Sequence, residues 1–178
     1  MRIMVVGTSG AGKTTMGRRL SQALGIPQVE LDALNWEPGW RDLTKHDLAK
    51  FVRRVEQVAA TEAWITDGSY TGVWPILAPR SDHIIWLDYS RSVIMPRIVR
   101  RSISRAISGR ELWPGSGNRE YLSDLFAADH IIRWAWTTWA DRRKRYEAIF
   151  ADPAYARLTV HRLRHPRQAQ SLIATLAG

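Results

Sequence analysis

The stretch that decides the fold runs over residues 7–14 and reads Gly7-Thr8-Ser9-Gly10-Ala11-Gly12-Lys13-Thr14. Its spacing is G-x-x-x-x-G-K-[ST], in which glycines let the backbone turn and direct successive N–H groups at phosphate oxygens. Lys13 is placed to reach the β- and γ-phosphates of a nucleotide, and the Thr14 hydroxyl is placed to bind Mg²⁺. The motif therefore predicts a site for ATP and Mg²⁺ built from Gly7 through Thr15.

The segments on either side of this phosphate-binding loop support the same interpretation. Ile3 through Val6 form an apolar run typical of a buried strand, and residues 14–24 are typical of a helix that ends at Gly25. The N-terminus of such a helix adds free N–H groups and a partial positive charge to the phosphate site.

A dinucleotide-binding turn is the alternative at the same place. Gly7, Gly10 and Gly12 are followed by Asp32, 20 residues after the last glycine, near where a ribose-binding acid would stand. The glycine order is G-x-x-G-x-G rather than G-x-G-x-x-G, however, and a Lys-Thr pair has no role in a dinucleotide site. We therefore favour the phosphate-binding loop.

The composition fits a single domain that spans residues 1–178. The sequence has no cysteine, which excludes disulfides and thiolate metal sites. Met1 and Arg2 lead straight into the first predicted strand, and no apolar run approaches the roughly 18 residues of a membrane span. We expect no signal peptide, no membrane partner and a cytoplasmic location.

The chain is strongly basic, and nearly all of its basic residues are arginines. Lys plus Arg total 26 against 17 acids, which gives a net charge of +9. The planar arginine fork suits phosphate oxygens, so the charge favours a phosphorylated ligand or nucleic acid; a generally solvated arginine-rich surface is the alternative. No groove-reading motif supports nucleic acid as a partner. The sequence does not indicate an oligomeric state.

Apolar strand segments alternate with helical segments along the rest of the chain. Strands are predicted over 27–31, 63–66, 83–87 and 158–163, and helices over 44–60, 90–108, 119–150 and 166–176. Thr44 is expected to cap the first of these helices, and Pro96 to kink the second or delay its start. The alternation predicts parallel strands joined by right-handed crossovers, hence a three-layer α/β/α fold.

Aspartates follow three of the predicted strands, at the sheet edge where ligands bind in such folds. Asp67 is the preferred partner of Thr14 for Mg²⁺, because Gly68 allows close backbone approach. Asp88 also ends a strand, but the following residues are more typical of a helix start, so we expect it to act as a cap. Asp32 is placed to orient or deprotonate an acceptor hydroxyl; an ordinary turn aspartate is the alternative.

Arginines on the predicted helix 90–108 recur on one face. Arg97, Arg101 and Arg105 are four residues apart, and Arg110 lies just beyond the helix. A face without paired acids favours a mobile, phosphate-clamping lid at about residues 100–125, although a solvated helix face is the alternative. The later basic run at 142–145 is expected at the surface.

Tryptophans are the other feature of the expected site. Trp36 and Trp40 flank a turn close to Asp32 and are candidates for the wall of an acceptor pocket, although aromatic residues also simply fill cores. The tryptophans of the late helix fall on different sides of it and are expected to make core and lid contacts.

Together these segments resemble the adenylate-kinase-like P-loop kinases, and most closely the DNA topology modulation proteins. The resemblance rests on the loop at 7–14, on segments 31–40, 64–70 and 85–88, on Arg100 and Arg101, and on the tryptophan-rich late helix. It implies a five-stranded parallel sheet of order 2-3-1-4-5, ATP with Mg²⁺, and an arginine-bearing lid. Adenylate kinases have Phe-Pro-Arg after the Asp-Gly of the third strand; Ser69-Tyr70-Thr71 stands here, which argues against AMP as the acceptor.

The sequence thus predicts an ATP- and Mg²⁺-dependent phosphotransferase with an unidentified small-molecule acceptor. Its expected catalytic residues are Lys13, Asp32, Arg101, Arg105 and Arg110. The alternative is a nucleotide-dependent, nucleic-acid-associated ATPase or DNA topology modulator, in which the positive charge binds phosphate backbones.

Overall fold

Five parallel strands form the central sheet of the computed structural model, which describes residues 1–123 and 131–178. In chain order the strands are β1 (Arg2–Gly7), β2 (Gln28–Glu30), β3 (Trp36–Glu37), β4 (Arg41–Asp42), β5 (Trp64–Asp67), β6 (His83–Leu87) and β7 (Thr159–Leu163). β3 and β4 form a separate antiparallel hairpin, and the sheet has the order β2-β5-β1-β6-β7. Counted along the chain within the sheet, this is the predicted order 2-3-1-4-5.

Helices cover both faces of the sheet. They are α1 (Lys13–Leu24), α2 (Leu31–Asn35), α3 (Leu43–His46), α4 (Leu48–Ala59), α5 (Trp74–Leu77), α6 (Arg91–Ser108), α7 (Ile131–Ala151) and α8 (Gln168–Ala177), with 3₁₀ turns at Thr71–Val73, Ala78–Arg80 and Pro153–Tyr155. No helix within the described residues is long and apolar enough to cross a membrane.

The alternation of side chains along β1 builds two cores, one on each face. Met4 and Val6 pack into the cluster formed with α4, α5 and α7, whereas Ile3 and Val5 pack into the cluster formed with α1 and α8. Successive side chains of a strand point to opposite faces, so an unbroken apolar run is what a strand covered on both sides requires. Each fully buried aliphatic side chain contributes about 1.5–3 kcal/mol, which fixes the strand and thereby the loop that follows it.

The predicted helix at 44–60 is divided into α3 and α4, and Thr44 is not an N-cap. Asp42 precedes α3 and accepts a hydrogen bond from Thr44 N, and Asp47 precedes α4 and accepts one from Lys50 N at 3.0 Å. The Thr44 hydroxyl itself donates to Asp42 at 2.6 Å. A carboxylate satisfies free N–H groups and also benefits from the helix dipole, which explains why the two aspartates take the capping positions.

Other element bounds also differ from the prediction. β2 ends at Glu30, so Asp32 lies in the first turn of α2 rather than at a strand end. α6 begins at Arg91, ahead of Pro96, so the proline does not delay its start. Residues 119–121 are not helical, and α7 is described from Ile131. The part of the predicted lid and of the predicted helix 119–150 that falls on residues 124–130 lies outside the described residues.

Candidate active site

The loop between β1 and α1 has the backbone of a phosphate cradle. Gly10 adopts a left-handed conformation with φ 81°, and a Cβ at this position would lie 3.0 Å from the side chain of Ile94 and 3.1 Å from that of Ile98, both on α6. A Cβ at Gly7 would lie 2.8 Å from the carbonyl oxygen of Leu87. Because α6 and β6 pack this closely against the loop, its N–H groups are held in place before a ligand arrives.

Lys13 begins α1 and turns its ammonium group back over the loop, where Nζ donates to Thr8 O at 3.2 Å. Burial is the main influence on its pKa and lowers it to about 8. Two aspartates partly oppose this shift and two arginines add to it: Asp32, Asp67, Arg101 and Arg142. These charged groups at this edge of the sheet therefore all influence the pKa of Lys13.

Thr14 and Asp67 form the candidate metal site. The Thr14 hydroxyl donates to Asp67 Oδ1 at 3.0 Å, and Gln28 Nε2 donates to Asp67 Oδ2 at 2.5 Å. Asp67 is only 4% exposed, and burial raises the pKa of its carboxyl group despite the opposing effects of Gln28, Lys13 and Thr14. A buried carboxylate of this kind is unfavourable in its ionised form unless a cation binds next to it, so Asp67 is suited to bind one.

The donors present fit Mg²⁺ that is shared with a nucleotide. In the part of the chain that the structure describes, no group of three His, Cys, Asp or Glu side chains could hold a metal ion alone. Mg²⁺ usually takes only one or two protein carboxylates beside substrate phosphates and waters. Thr14 and Asp67 supply such a partial set next to the phosphate cradle.

Asp88 belongs to an ion-pair network and caps no helix, so the expectation of a cap is wrong. Its Oδ2 lies 2.6 Å from Nη2 of Arg162 and 3.4 Å from Arg143, while Ser90 stands at the N-cap position of α6. Arg162 lies on the neighbouring strand β7, 74 residues along the chain, where sequence spacing gives no sign of it. Because two arginines already balance its charge, Asp88 is a poorer metal ligand than Asp67.

Asp32 and Tyr70 meet beside the phosphate-binding loop. The Tyr70 hydroxyl donates to Asp32 Oδ1 at 2.7 Å, and Ser69 Oγ donates to Gly7 O at 2.5 Å, which ties the segment after β5 to the loop. Burial and the negative charge of Asp32 raise the pKa of Tyr70, so the phenol stays a neutral donor. Asp32 is exposed, which leaves its carboxylate accessible to a second molecule.

Arg142 is a candidate site residue that the sequence pattern assigned to the surface. Its side chain is half-buried, and its guanidinium lies 4.1 Å from the ring centroid of Trp134. It acts electrostatically on Lys13 and on Asp32. The helical period contained the signal, because Tyr146 is buried one turn later on the same face of α7. Lys144 and Arg145, in contrast, are exposed as expected.

The arginines of α6 do not act as one uniform face. Arg97 donates to Ala11 O at 3.4 Å, and Arg101 is half-buried and acts on Lys13. Arg105 is paired with Glu120 at 2.9 Å, so the premise that this face lacks paired acids is wrong there. The partner stands 15 residues away, outside the helix, which is why helical spacing did not predict it.

Arg110 lies beyond the C-terminal end of α6 at Gly109, and its side chain is exposed. None of the described contacts joins it to the residues around Lys13. The structure thus brings together Lys13, Asp32, Asp67 and Arg101 from the predicted set, but not Arg110.

Glu30 is a second candidate site residue that the sequence did not indicate. It ends β2 directly beside Asp67 in the strand register. Burial is the main cause that raises the pKa of its carboxyl group, Asp67 raises it further, and a hydrogen bond from Trp113 opposes the shift. The prediction had continued this strand to residue 31, which placed Glu30 inside the strand rather than at its tip.

Comparison with known proteins agrees with this geometry. No protein-family model matches the chain. Over 137 residues the chain is 28% identical to the shikimate kinase of Mycobacterium leprae (strain TN), a match that covers 71% of the chain and 66% of that enzyme, just under two thirds of its length.

Solved structures of low sequence identity share the fold over nearly the whole chain. A shikimate kinase from Bacteroides thetaiotaomicron has a TM-score of 0.56 at 17% identity, covering 99% of this chain and 96% of that one. A deoxyadenosine kinase from M. mycoides has a TM-score of 0.59 at 14% identity, with coverages of 99% and 96%. A gluconokinase from Sinorhizobium meliloti 1021 has a TM-score of 0.53 at 20% identity, with coverages of 99% and 93%. The fold is therefore that of the P-loop kinases.

Proposed function

We propose that this protein is a kinase that transfers the γ-phosphoryl group of ATP, with Mg²⁺, to a hydroxyl group of a small molecule. The observation that carries the proposal is the convergence of charged groups from four parts of the chain on Lys13: Asp32, Asp67, Arg101 and Arg142. Phosphoryl transfer requires a phosphate cradle, a metal-side acid, an acceptor-side acid and fixed positive charge. The similarity to a shikimate kinase, a deoxyadenosine kinase and a gluconokinase supports the same conclusion.

On the nucleotide side, residues Gly7 through Thr15 would hold the phosphates of ATP. The backbone N–H groups and Lys13 would bind phosphate oxygens, while Thr14 and Asp67 would hold Mg²⁺. When bound, Mg²⁺ neutralises charge on the phosphate oxygens. Gln28 keeps the Asp67 carboxylate turned toward Thr14.

On the acceptor side, Asp32 would accept the proton of the attacking hydroxyl group. Tyr70 donates to Oδ1 of Asp32 and so fixes the orientation of the carboxylate. Arg142 acts on Asp32 and on Lys13, so its positive charge influences both the acceptor-side acid and the phosphate-binding lysine. A transferring phosphoryl group carries negative charge on its equatorial oxygens, which fixed guanidinium groups stabilise.

The arginine-bearing lid at about residues 100–125 is part of this proposal, within a single domain over residues 1–178. Arg101 already acts on Lys13, whereas Arg105 would have to leave Glu120 before it could bind a phosphoryl group. Arg110 would reach the site only through a movement of the segment beyond Gly109. Charge neutralisation by these residues would therefore accompany closure.

The alternative, a nucleic-acid-associated ATPase, draws on the basic charge alone. Several of the arginines that carry this charge are paired with acids within the fold, for example Arg54 with Glu37 at 3.0 Å and Arg162 with Asp88 at 2.6 Å. A salt titration of duplex DNA affinity discriminates the two functions, because backbone binding weakens steeply with salt. No binding at low salt would remove the alternative. Membership of the DNA topology modulation proteins remains a prediction.

The test of the proposal is a screen for ATP consumption against pooled metabolites. The wild type should form ADP with at least one pool, and Lys13→Ala should lower this rate at least 100-fold, since it removes the cation that binds the phosphates. Lys144→Ala, which removes an exposed lysine of α7, is the matched control and should retain the rate. Turnover that survives Lys13→Ala would overturn the mechanism.

A further inference from the structure

We propose that Trp36, Trp40 and Trp113, here named the tryptophan wall, line the acceptor site, and that the acceptor carries a ring whose face packs on this wall. The inference rests on the proposed kinase function, since it names the chemistry of the acceptor. It goes further in that it assigns binding residues and a ligand class.

The tryptophan wall is assembled from two separate segments of the chain. Trp36 and Trp40 come from the β3–β4 hairpin, with ring centroids 5.6 Å apart and ring planes at 77°. Trp113 comes from the loop after α6, and its ring centroid lies 6.1 Å from that of Trp40 with ring planes at 79°. Edge-to-face contacts of this kind hold each indole in place, and Trp36 and Trp113 are half-buried while Trp40 is exposed.

A buried asparagine locks the two segments together. Asn118 is 2% exposed; its side-chain oxygen accepts from Trp40 N at 2.9 Å, and its side-chain nitrogen donates to Glu37 O at 3.0 Å. The backbone carbonyl oxygen of Asn118 accepts a hydrogen bond from Leu112 N at 2.9 Å, within the same loop. A buried amide that both accepts and donates across the two segments favours a single arrangement of the hairpin and the loop.

Trp40 is held in an unfavourable backbone conformation. Its φ is 58°, the only positive φ of a non-glycine residue in the described part of the chain. A bulky residue in the left-handed region costs about 1–2 kcal/mol and persists only where its surroundings enforce it. Trp40 is nevertheless 41% exposed, so core packing does not explain this placement. An exposed aromatic ring kept in a strained position is a feature of binding sites.

The wall adjoins the acids at the tips of the strands. Trp113 is close enough to the Glu30 carboxyl group to oppose the burial that raises its pKa, and Glu30 lies beside Asp67 in the strand register. Trp36 follows directly after α2, whose first turn carries Asp32. The hairpin end of the wall therefore follows the helix that carries the acceptor-side carboxylate, and its other end lies beside the acid at the tip of β2.

The chemistry that such a wall recognises is a ring with an apolar face and a hydroxyl-bearing edge. Nucleobases and the carbon–hydrogen faces of cyclic sugars share this property, and stacking on an aromatic side chain contributes about 1–3 kcal/mol for a base. An open-chain polyol presents no such face. We therefore expect ring-bearing acceptors to bind and open-chain acceptors of similar polarity to be rejected.

The experiment measures binding of four probes to the whole protein by tryptophan fluorescence: adenosine, cytidine, methyl glucoside and sorbitol. At least one ring probe should bind saturably, and Trp113→Ala and Trp40→Ala should weaken that binding about 10-fold. Trp136→Ala removes an exposed indole from α7 and should leave it unchanged. Nucleoside binding identifies a base, and methyl glucoside binding identifies a sugar ring.

Three outcomes overturn the proposal. They are saturable binding of sorbitol alone, binding of no probe, and binding of a ring probe that Trp40→Ala and Trp113→Ala both leave unchanged. Calorimetry with Mg·ATP on the same variants separates the causes. If the wild type binds Mg·ATP but no ring probe, the proposal for the tryptophan wall is refuted and the proposed phosphate site is retained. If the wild type does not bind Mg·ATP, the proposed function is refuted, and the proposal for the wall, which rests on it, is refuted as well. Normal Mg·ATP binding by the two variants also shows that they are folded.

Discussion

The Thr14 hydroxyl donates a hydrogen bond of 3.0 Å to Oδ1 of Asp67, which joins the phosphate-binding loop to the end of β5 across 53 residues of chain. The contact places a loop hydroxyl and a buried carboxylate where one cation can bind both. It also distinguishes Asp67 from Asp88, whose carboxylate is engaged by Arg162 and Arg143.

Asp67→Asn should separate stability from function. Burial raises the pKa of this carboxyl group, so the ionised form is unfavourable in the folded protein without a cation. We expect an unchanged or higher melting temperature together with a loss of at least 10-fold in Mg²⁺-dependent ATP affinity. Glu62→Gln makes the same charge change at an exposed site and should alter neither quantity. A variant that binds Mg·ATP as tightly as the wild type would show that Asp67 is not the metal-side acid.

Asp88→Asn should have the opposite effect. Removing the carboxylate takes away the buried one of the two acids that Arg162 and Arg143 share and leaves them only Glu147, which we expect to lower the free energy of unfolding by about 2 kcal/mol. Denaturant unfolding measures this loss, and Mg²⁺ titration of the ATP affinity should match the wild type. A weaker dependence of ATP affinity on Mg²⁺ in this variant would instead indicate that the metal binds near Asp88, at the end of β6.

ATP binding should take up protons above neutral pH. The pKa of Lys13 is about 8 in the free protein, and a bound phosphate favours the charged ammonium, so binding at pH 8.5 draws a proton from solvent. Calorimetry in two buffers of different ionisation enthalpy measures this uptake, which should vanish at pH 6.5 and in Lys13→Arg. The same shift means that Lys13 makes the free protein more stable as pH rises from about 8 to 10.5, where the unfolded chain binds the extra proton. Proton release on binding would contradict this account of Lys13.

Arg142→Ala should reduce kcat/KM for the acceptor about 100-fold, because it removes half-buried positive charge that acts on Lys13 and Asp32. Arg145→Ala, on the exposed side of α7, is the matched control and should retain the wild-type value. Steady-state kinetics with the acceptor found in the metabolite screen measure both variants. Equal effects of the two substitutions on kcat/KM would show that Arg142 has no more influence on the reaction than an exposed arginine of α7.

The fold was predictable because its signals are local. The apolar run before the loop, the glycine spacing and the alternation of strand and helix segments predict a parallel sheet, and the strand order implied by the resemblance to the P-loop kinases is the one observed. Asp32 and Asp67 were predicted from one local signal, a carboxylate at the end of an apolar strand, and the structure places Asp67 at the end of β5 but Asp32 in the first turn of α2.

The ion pairs that the sequence did not predict join partners remote in sequence. Asp88 is matched by an arginine on another strand, and Arg105 by Glu120 outside its helix, so helical spacing and strand ends contained no sign of either pair. Glu30 depended on a strand bound that was predicted one residue too far. Arg142 was different: its position on the buried face of α7 followed from the helical period, but the run of four basic residues suggested a solvated surface.

The most direct test of the central claim is calorimetric titration of the wild type, Lys13→Ala and Asp67→Asn with ATP, with and without Mg²⁺. We predict saturable binding of one ATP per chain by the wild type, strengthened by Mg²⁺, together with severe weakening in Lys13→Ala and loss of the Mg²⁺ effect in Asp67→Asn. Wild-type protein that fails to bind Mg·ATP, or a Lys13→Ala variant that binds it as the wild type does, would contradict the account.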